Sequence, residues 1–247
     1  MLHDIVVAFA FLTRLPIRHR DAVSLQRSAQ WFPLVGASVG ALGGLTYLVA
    51  ATALPHAPAA VLALIVTTLV TGGFHQDGLA DIVDGLVGGW TREDRLRILK
   101  DSRHGTYGVL AIVLQSLLQT MTLASLSPTD GLRALVAAHA LARVVPVVLM
   151  ATPAAPGQAG MGAAYAREIR WHHIAVALAL GLAVSATLLG SRLLVILPTL
   201  LIVNLVLVVW VRQRIGGIVG DALGAAEQVS ESAILLAFLA TLGTAHA

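Results

Sequence analysis

The chain has 247 residues, 57% of them hydrophobic and 12% charged, and it contains no cysteine. Its mean hydropathy of +0.84 excludes an ordinary soluble protein, and the missing thiol excludes disulfides, thiolate zinc sites and cysteine nucleophiles. The formal charge of +3 comes from arginines dispersed between apolar runs, which excludes a basic nucleic-acid-binding domain.

Each bilayer crossing needs about 20 predominantly apolar residues, and runs of that kind recur along the whole chain. Ile5 to Leu12 is apolar but too short to span, and Pro16 ends it. Positive charge follows this stretch and does not precede it, so it does not read as a cleaved signal peptide. After Arg14, Arg18, Arg20 and Arg27, Trp31 opens a crossing that runs to about Leu54. Gly36, Gly40, Gly43 and Gly44 give that crossing a small-residue face for a close neighbour. Pro55 to Pro58 turns the chain, and Ala59 to about Phe74 returns. From Gln76 to Arg103 the chain is too polar to span and reads as a long functional loop with helical pieces.

Tyr107 to about Leu126 spans again, and Leu132 to about Ala151 comes back carrying Arg133, His139 and Arg143, which should face the bundle interior. A Pro- and Gly-rich loop leads to Trp171. His172 to Gly190 and Leu193 to Val211 form two further crossings joined at Ser191 and Arg192. The last segment begins polar, RQRIGGIVGDALGAAEQVSES, and ends apolar. This layout is an all-α, polytopic membrane bundle of about six or seven crossings, a single domain over residues 1–247. Arg14 to Arg27, Arg92 to Arg103, Arg167 with Arg170, and Arg212 with Arg214 fall on one face, which the positive-inside rule makes cytoplasmic. Both acidic segments are expected on that face.

Charge is scarce, yet six of the thirteen acidic residues lie between His75 and Gly108. In DGLADIVDG, the spacing of Asp77, Asp81 and Asp84 stacks three carboxylates on one helical face. Oxygen ligands so placed favour a hard divalent cation such as Mg2+; the alternative is a solvated helix end. Asp221, Glu227 and Glu231 form a second acidic group, with the two glutamates one turn apart, and the two groups could close around one or two Mg2+ ions. An amphipathic helix start is the plainer account of the second group. Lys100, the only lysine, stands near Asp101 and Arg103 in LKDSRHGTYG and suits a phosphate, or else pairs with Asp101 or Glu93. His75 and His104 flank the polar stretch as base, ligand or interface residues. Arg133, His139 and Arg143 suit an anionic substrate group or internal ion pairs. No Walker loop, GxSxG elbow or HExxH motif is present.

HQDGLADIVDGLVGG, RLRILKDSRHGTYGVLA, FLTRLP with WFPLVGASVGALGG, and RIGGIVGDALGAAEQVSE together resemble the cobalamin synthase family, adenosylcobinamide-GDP ribazoletransferase. Leu99 stands where the family pattern has Met, and Val219 where Thr is usual. The resemblance implies an enzyme of the bacterial inner membrane with its active site facing the cytoplasm. There a ribose hydroxyl of α-ribazole, or of its 5'-phosphate, attacks adenosylcobinamide-GDP with Mg2+ as cofactor, and GMP leaves. It also implies Asp77, Asp81 and Asp84 as metal ligands, completed by Asp221, Glu227 and Glu231. One of the aspartates or His75 acts as base, Lys100 joins the chemistry, and Asp101, Arg103, His104 and Arg143 contact substrate. Membrane lipid is the expected surrounding, nucleic acid is not a partner, and assembly as a homo-oligomer is left open. DxxDG at Asp81 to Gly85 also resembles part of the CDP-alcohol phosphotransferase signature, but the Ala-Arg that should follow is missing. A lipid head-group enzyme and an ion or metal transporter are the competing readings.

Overall fold

The structure, a computed structural model, describes residues 1–17, 25–101, 103–153 and 169–243. Among them are α1 (Leu2–Leu12), α2 (Leu25–Ala29), α3 (Phe32–Ala50), α4 (His56–Thr71), α5 (Phe74–Gly88), α6 (Arg92–Ile98), α7 (Thr106–Ala124), α8 (Pro128–Ala142), α9 (Val144–Leu149), α10 (Trp171–Leu189), α11 (Leu193–Ile215) and α12 (Gly220–Gly243). No β-strand occurs among the described residues, as a lipid-immersed backbone that must satisfy its own hydrogen bonds requires. Arg18, Arg20 and Arg167, three of the arginines expected on the basic face, lie outside the described residues.

Five helices are long and apolar enough to cross a membrane, or up to six with the bent pair α4–α5 taken as one span. One of the five, Trp171–Ile215, has 45 residues and would be about 67 Å long if straight, twice the thickness of a bilayer core. It is instead two antiparallel helices. Ser185 of α10 donates to the Ala137 carbonyl of α8. Leu189 and Ile196 share a core with Phe238, near the end of α12, whereas Val211 and Ile215 pack with Ala222, near its start. The reversal falls at 190–192, as the sequence suggests, and counting its two arms separately gives the expected six or seven traverses.

The central contact of the bundle is α3 against α8. A Cβ built on Gly36 would overlap the His139 carbonyl, one on Gly40 the Leu135 carbonyl, and one on Gly44 would sit 2.9 Å from Leu132 Cα. Gly43 faces the other way, toward Thr67 on α4. The small-residue face read from the sequence is therefore a real interface, and it lets two antiparallel helices approach to backbone contact. Tyr47, fully buried at the far end of α3, donates to the carbonyls of Leu123 and Leu126, which ties the α7–α8 turn to α3.

Two features depart from the linear layout. The returning crossing ends at Thr71, not Phe74, because Gly72 and Gly73 both adopt φ +69°, a conformation other residues rarely take. The chain bends there by 91°, so α5 leaves perpendicular to α4. The last segment divides at 216–219: Arg212 to Ile215 close α11, and Gly220–Gly243 form a single helix whose polar first half is buried, with Glu227, Gln228, Ser230 and Glu231 all at most 4% exposed. We expect Gly40→Val to force α3 off the Leu135 backbone and cost about 1–3 kcal/mol. Thermal unfolding in detergent should show this loss, and Leu42→Val on the lipid-exposed side of the same helix should not.

Candidate active site

The helix α5 forms because Leu79, Ile82 and Leu86 recur at helical spacing and bury one face against α12 and its neighbours. Close approach to α12 is possible because Gly78 meets Gly224: a Cβ on Gly78 would lie 2.8 Å from the Asp221 carbonyl oxygen. This contact places Asp221 beside the acidic face of α5, within electrostatic reach of Asp81 and Asp77. The three aspartates of α5 do share a face but meet different surroundings. Asp77 has a side chain 62% exposed, Asp81 20%, and Asp84 is buried.

His104 lies across the two outer acids, with Nε2 3.5 Å from Asp77 Oδ1 and Nδ1 3.5 Å from Asp81 Oδ1. One ligand atom from each of Asp77, Asp81 and His104 falls within a 4.8 Å group, small enough to surround one ion. Asp84 does not join it. Its Oδ2 accepts from Gly105 N at 2.7 Å and its Oδ1 from Gly108 N at 2.9 Å. The carboxylate thus caps the start of α7, where unpaired amides and the helix dipole favour a negative charge. Gly105 and Gly108 are required here, since a Cβ on either would meet the Asp84 carboxylate. This corrects the assignment of Asp84 as a metal ligand: its lone pairs are directed at backbone.

The basic stretch is divided in the same way. Arg92 Nε donates to the Ile215 carbonyl at 3.0 Å and Arg95 to that of Arg214 at 3.3 Å, so both serve the carboxyl end of α11. Arg103 forks onto Asp101 at 2.7 and 3.0 Å, and this pairing holds the Asp101 carboxyl down at about 2. Lys100 is exposed and has no ion-pair partner among the described residues, so the expected pairing with Asp101 is replaced by the Arg103 fork. Lys100 is thus an exposed cation left without an ion pair among the described residues.

Glu227 and Glu231 depart furthest from expectation. They lie six and ten residues beyond Asp221, about 9 and 15 Å deeper along the helix. There they surround Arg143, which is 1% exposed. Arg143 Nη1 lies 2.9 Å from Glu227 Oε1 and 3.2 Å from Glu231 Oε1, and donates to the His139 carbonyl at 2.9 Å. His139 Nδ1 contacts Glu231 Oε1, and His75 Nδ1 is 3.4 Å from Glu227 Oε2. His139, Glu227 and Glu231 could by distance alone enclose a metal, but the guanidinium already occupies the cation position between the carboxylates. These glutamates, expected as metal ligands, lie apart from the Asp77 group in an internal ion network. Arg143 is engaged by the two glutamates, and His75 contacts Glu227 in this same network. Arg133, expected inside, pairs at 3.6 Å with Asp130 and is half-exposed.

Fold and site together define a polytopic helical membrane protein with carboxylates, an imidazole and a free lysine gathered at one end. The family model described as cobalamin-5-phosphate synthase matches residues 4–239. A Shewanella frigidimarina protein named adenosylcobinamide-GDP ribazoletransferase is 39% identical over 242 residues, covering 95% of this chain and 93% of the relative. Proteins of the same name are 40% identical from Leptothrix cholodnii, over 95% of this chain and 94% of the relative, and 36% identical from Shewanella baltica, over 92% and 89%. No solved structure matches the chain significantly. The chain belongs to the cobalamin-5-phosphate synthase family, transferases of cobalamin biosynthesis.

Two outcomes follow from the site. Asp84→Asn replaces one acceptor oxygen with a donor facing a backbone N–H, and should cost about 1–3 kcal/mol. Faster amide exchange at Gly105 and Gly108 would locate the loss at the start of α7. Arg143→Leu strands two carboxylates and should destabilise by about 3–5 kcal/mol, with part regained in Arg143→Leu combined with Glu227→Gln, both read by thermal unfolding in detergent.

Proposed function

We propose that this chain transfers the cobinamide-phosphate group of adenosylcobinamide-GDP to α-ribazole or its 5'-phosphate and releases GMP. Asp77, Asp81 and Asp221 hold Mg2+ for this reaction. The observation that carries the reading is the convergence of Asp77, Asp81 and His104 beside Asp221, in a chain whose relatives bear the name of that reaction. The donor set fits the ion: carboxylate oxygens, partly exposed, with room left for water and phosphate oxygens, which is how Mg2+ is usually held.

In the reaction an oxygen–phosphorus bond forms between the ribose hydroxyl and the phosphate that carries the corrinoid, and the diphosphate bond to GMP breaks. Mg2+, when bound, neutralises charge on the diphosphate. Lys100, the cation without an internal partner, balances the charge that gathers on the departing GMP. Asp77 and Asp81 stand at the exposed end of α5, where a large polar substrate can reach them. The hydroxyl proton goes to the Asp77–Asp81–His104 group, because His75 is turned into the bundle. The active end faces the cytoplasm of a bacterial inner membrane: Arg14, Arg92, Arg95, Arg97, Lys100, Arg103, Arg212 and Arg214 gather there, against Arg133 and Arg192 at the other end.

Purified protein in nanodiscs, given adenosylcobinamide-GDP, α-ribazole and Mg2+, should release GMP. CMP release from a CDP-alcohol in its place would establish the lipid-enzyme reading. Asp81→Asn should lower turnover by at least about 100-fold while leaving thermal stability near that of the parent. Lys100→Ala should impair turnover as well, and unchanged rates in both variants would overturn the site.

A further inference from the structure

A second chemical environment lies inside the bundle, where α4, α7, α8 and α12 leave a half-open cavity of about 370 Å³. No residue of the Asp77 group lines it. Its lining is mixed: Val61, Leu64, Ile65, Leu135 and Leu235 give it an apolar side, and Thr67, Thr68, Thr120, Ser116, Gln119 and Gln228 give it a polar one, together with Glu231 and His139. Ile65 on its rim is 46% exposed near the middle of α4, so a solute can reach it through the hydrocarbon layer.

One carboxylate oxygen at the cavity is only partly satisfied. Glu227 and Glu231 share the single guanidinium of Arg143, which engages the Oε1 atom of each. Glu231 Oε2 accepts only the Gln228 amide, at 3.2 Å. Gln76 also lines the cavity, and its Oε1 is buried with no hydrogen-bond partner. Unpaired acceptors and a partly satisfied carboxylate are costly in such surroundings. An acyl chain in the cavity would leave them unpaired, and an anion would be repelled.

We propose that this cavity is a binding site for a small amphipathic amine. The apolar body lies against Val61, Leu64, Ile65 and Leu135, and the protonated nitrogen donates to Glu231 Oε2, with Gln76 Oε1 as a further acceptor. Such a molecule crosses lipid as the free base and, once protonated, pairs with Glu231. The volume is in the range of small-molecule sites, and the lining joins an apolar side to convergent polar groups as they do.

The test is equilibrium binding of 1-naphthylmethylamine and of 1-methylnaphthalene, its nitrogen-free counterpart, to the full chain in lipid nanodiscs, with partitioning into protein-free nanodiscs subtracted. The amine should bind saturably at one per chain and at least about tenfold more tightly than the hydrocarbon, the advantage of one charge-assisted hydrogen bond. Glu231→Gln should reduce the amine to the level of the hydrocarbon. If that variant fails to fold, Gln76→Leu should weaken the amine alone, and Ser116→Phe, at an exposed position of the lining, should weaken both compounds. Equal binding of the two compounds, no saturable binding beyond protein-free nanodiscs, or amine binding unchanged in both Gln76→Leu and Ser116→Phe would overturn the proposal.

Discussion

One buried guanidinium holds the interior of this protein together. Arg143 sits where α8 gives way to α9, three residues before Pro146, which has no N–H to offer the Ala142 carbonyl. The break lets the Arg143 side chain turn back to the His139 carbonyl and forward to Glu227 and Glu231. Charges in a bilayer are tolerated only when paired, so the position of α12 beside α8 is set by where the guanidinium can reach both carboxylates. Gly36 completes the arrangement, because any side chain there would collide with the Arg143 stem and the His139 carbonyl.

From that centre the order passes outward to the acidic end. Glu227 is linked to His75 in the first turn of α5, and Gly224 lies against the His75 backbone, with Gly78 packed on Asp221 one turn later. These contacts decide which way α5 faces after its sharp departure from α4. Asp77 and Asp81 are turned outward as a result, toward Asp221 and His104. Asp84, at the inner end of the same face, anchors α7 by two amides. A rigid interior thus presents a few flexible oxygens at its rim, the division of labour that a site for a large, charged substrate requires.

Much of this was legible in the residues. The glycine spacing of α3 announced a close helix neighbour, which the structure shows to be α8. The arginine asymmetry separated the two ends, and the two long crossings with their turn at Ser191 and Arg192 were recognisable from apolar length alone. The pairing of Asp77 with Asp81 followed from helical periodicity. The place of His104 between them carried only a weak signal, because a residue more than twenty positions away is brought there by the turn ahead of α7 and not by any local spacing.

The sequence by itself determined the all-helical membrane architecture, the end at which the charges gather, and the family, because hydropathy, periodicity and motif are local properties of the chain. The tertiary structure alone decided which acids gather at the exposed end and which are tied up inside. Asp84, Glu227 and Glu231 are the same chemical groups as Asp77 and Asp81, and no local pattern distinguishes them. What separates them is the partner each meets: two amides for Asp84, a guanidinium for the glutamates, the partly exposed His104 imidazole for the others. Partners contributed by distant helices depend on how the bundle packs, and that is fixed only when the whole chain has folded.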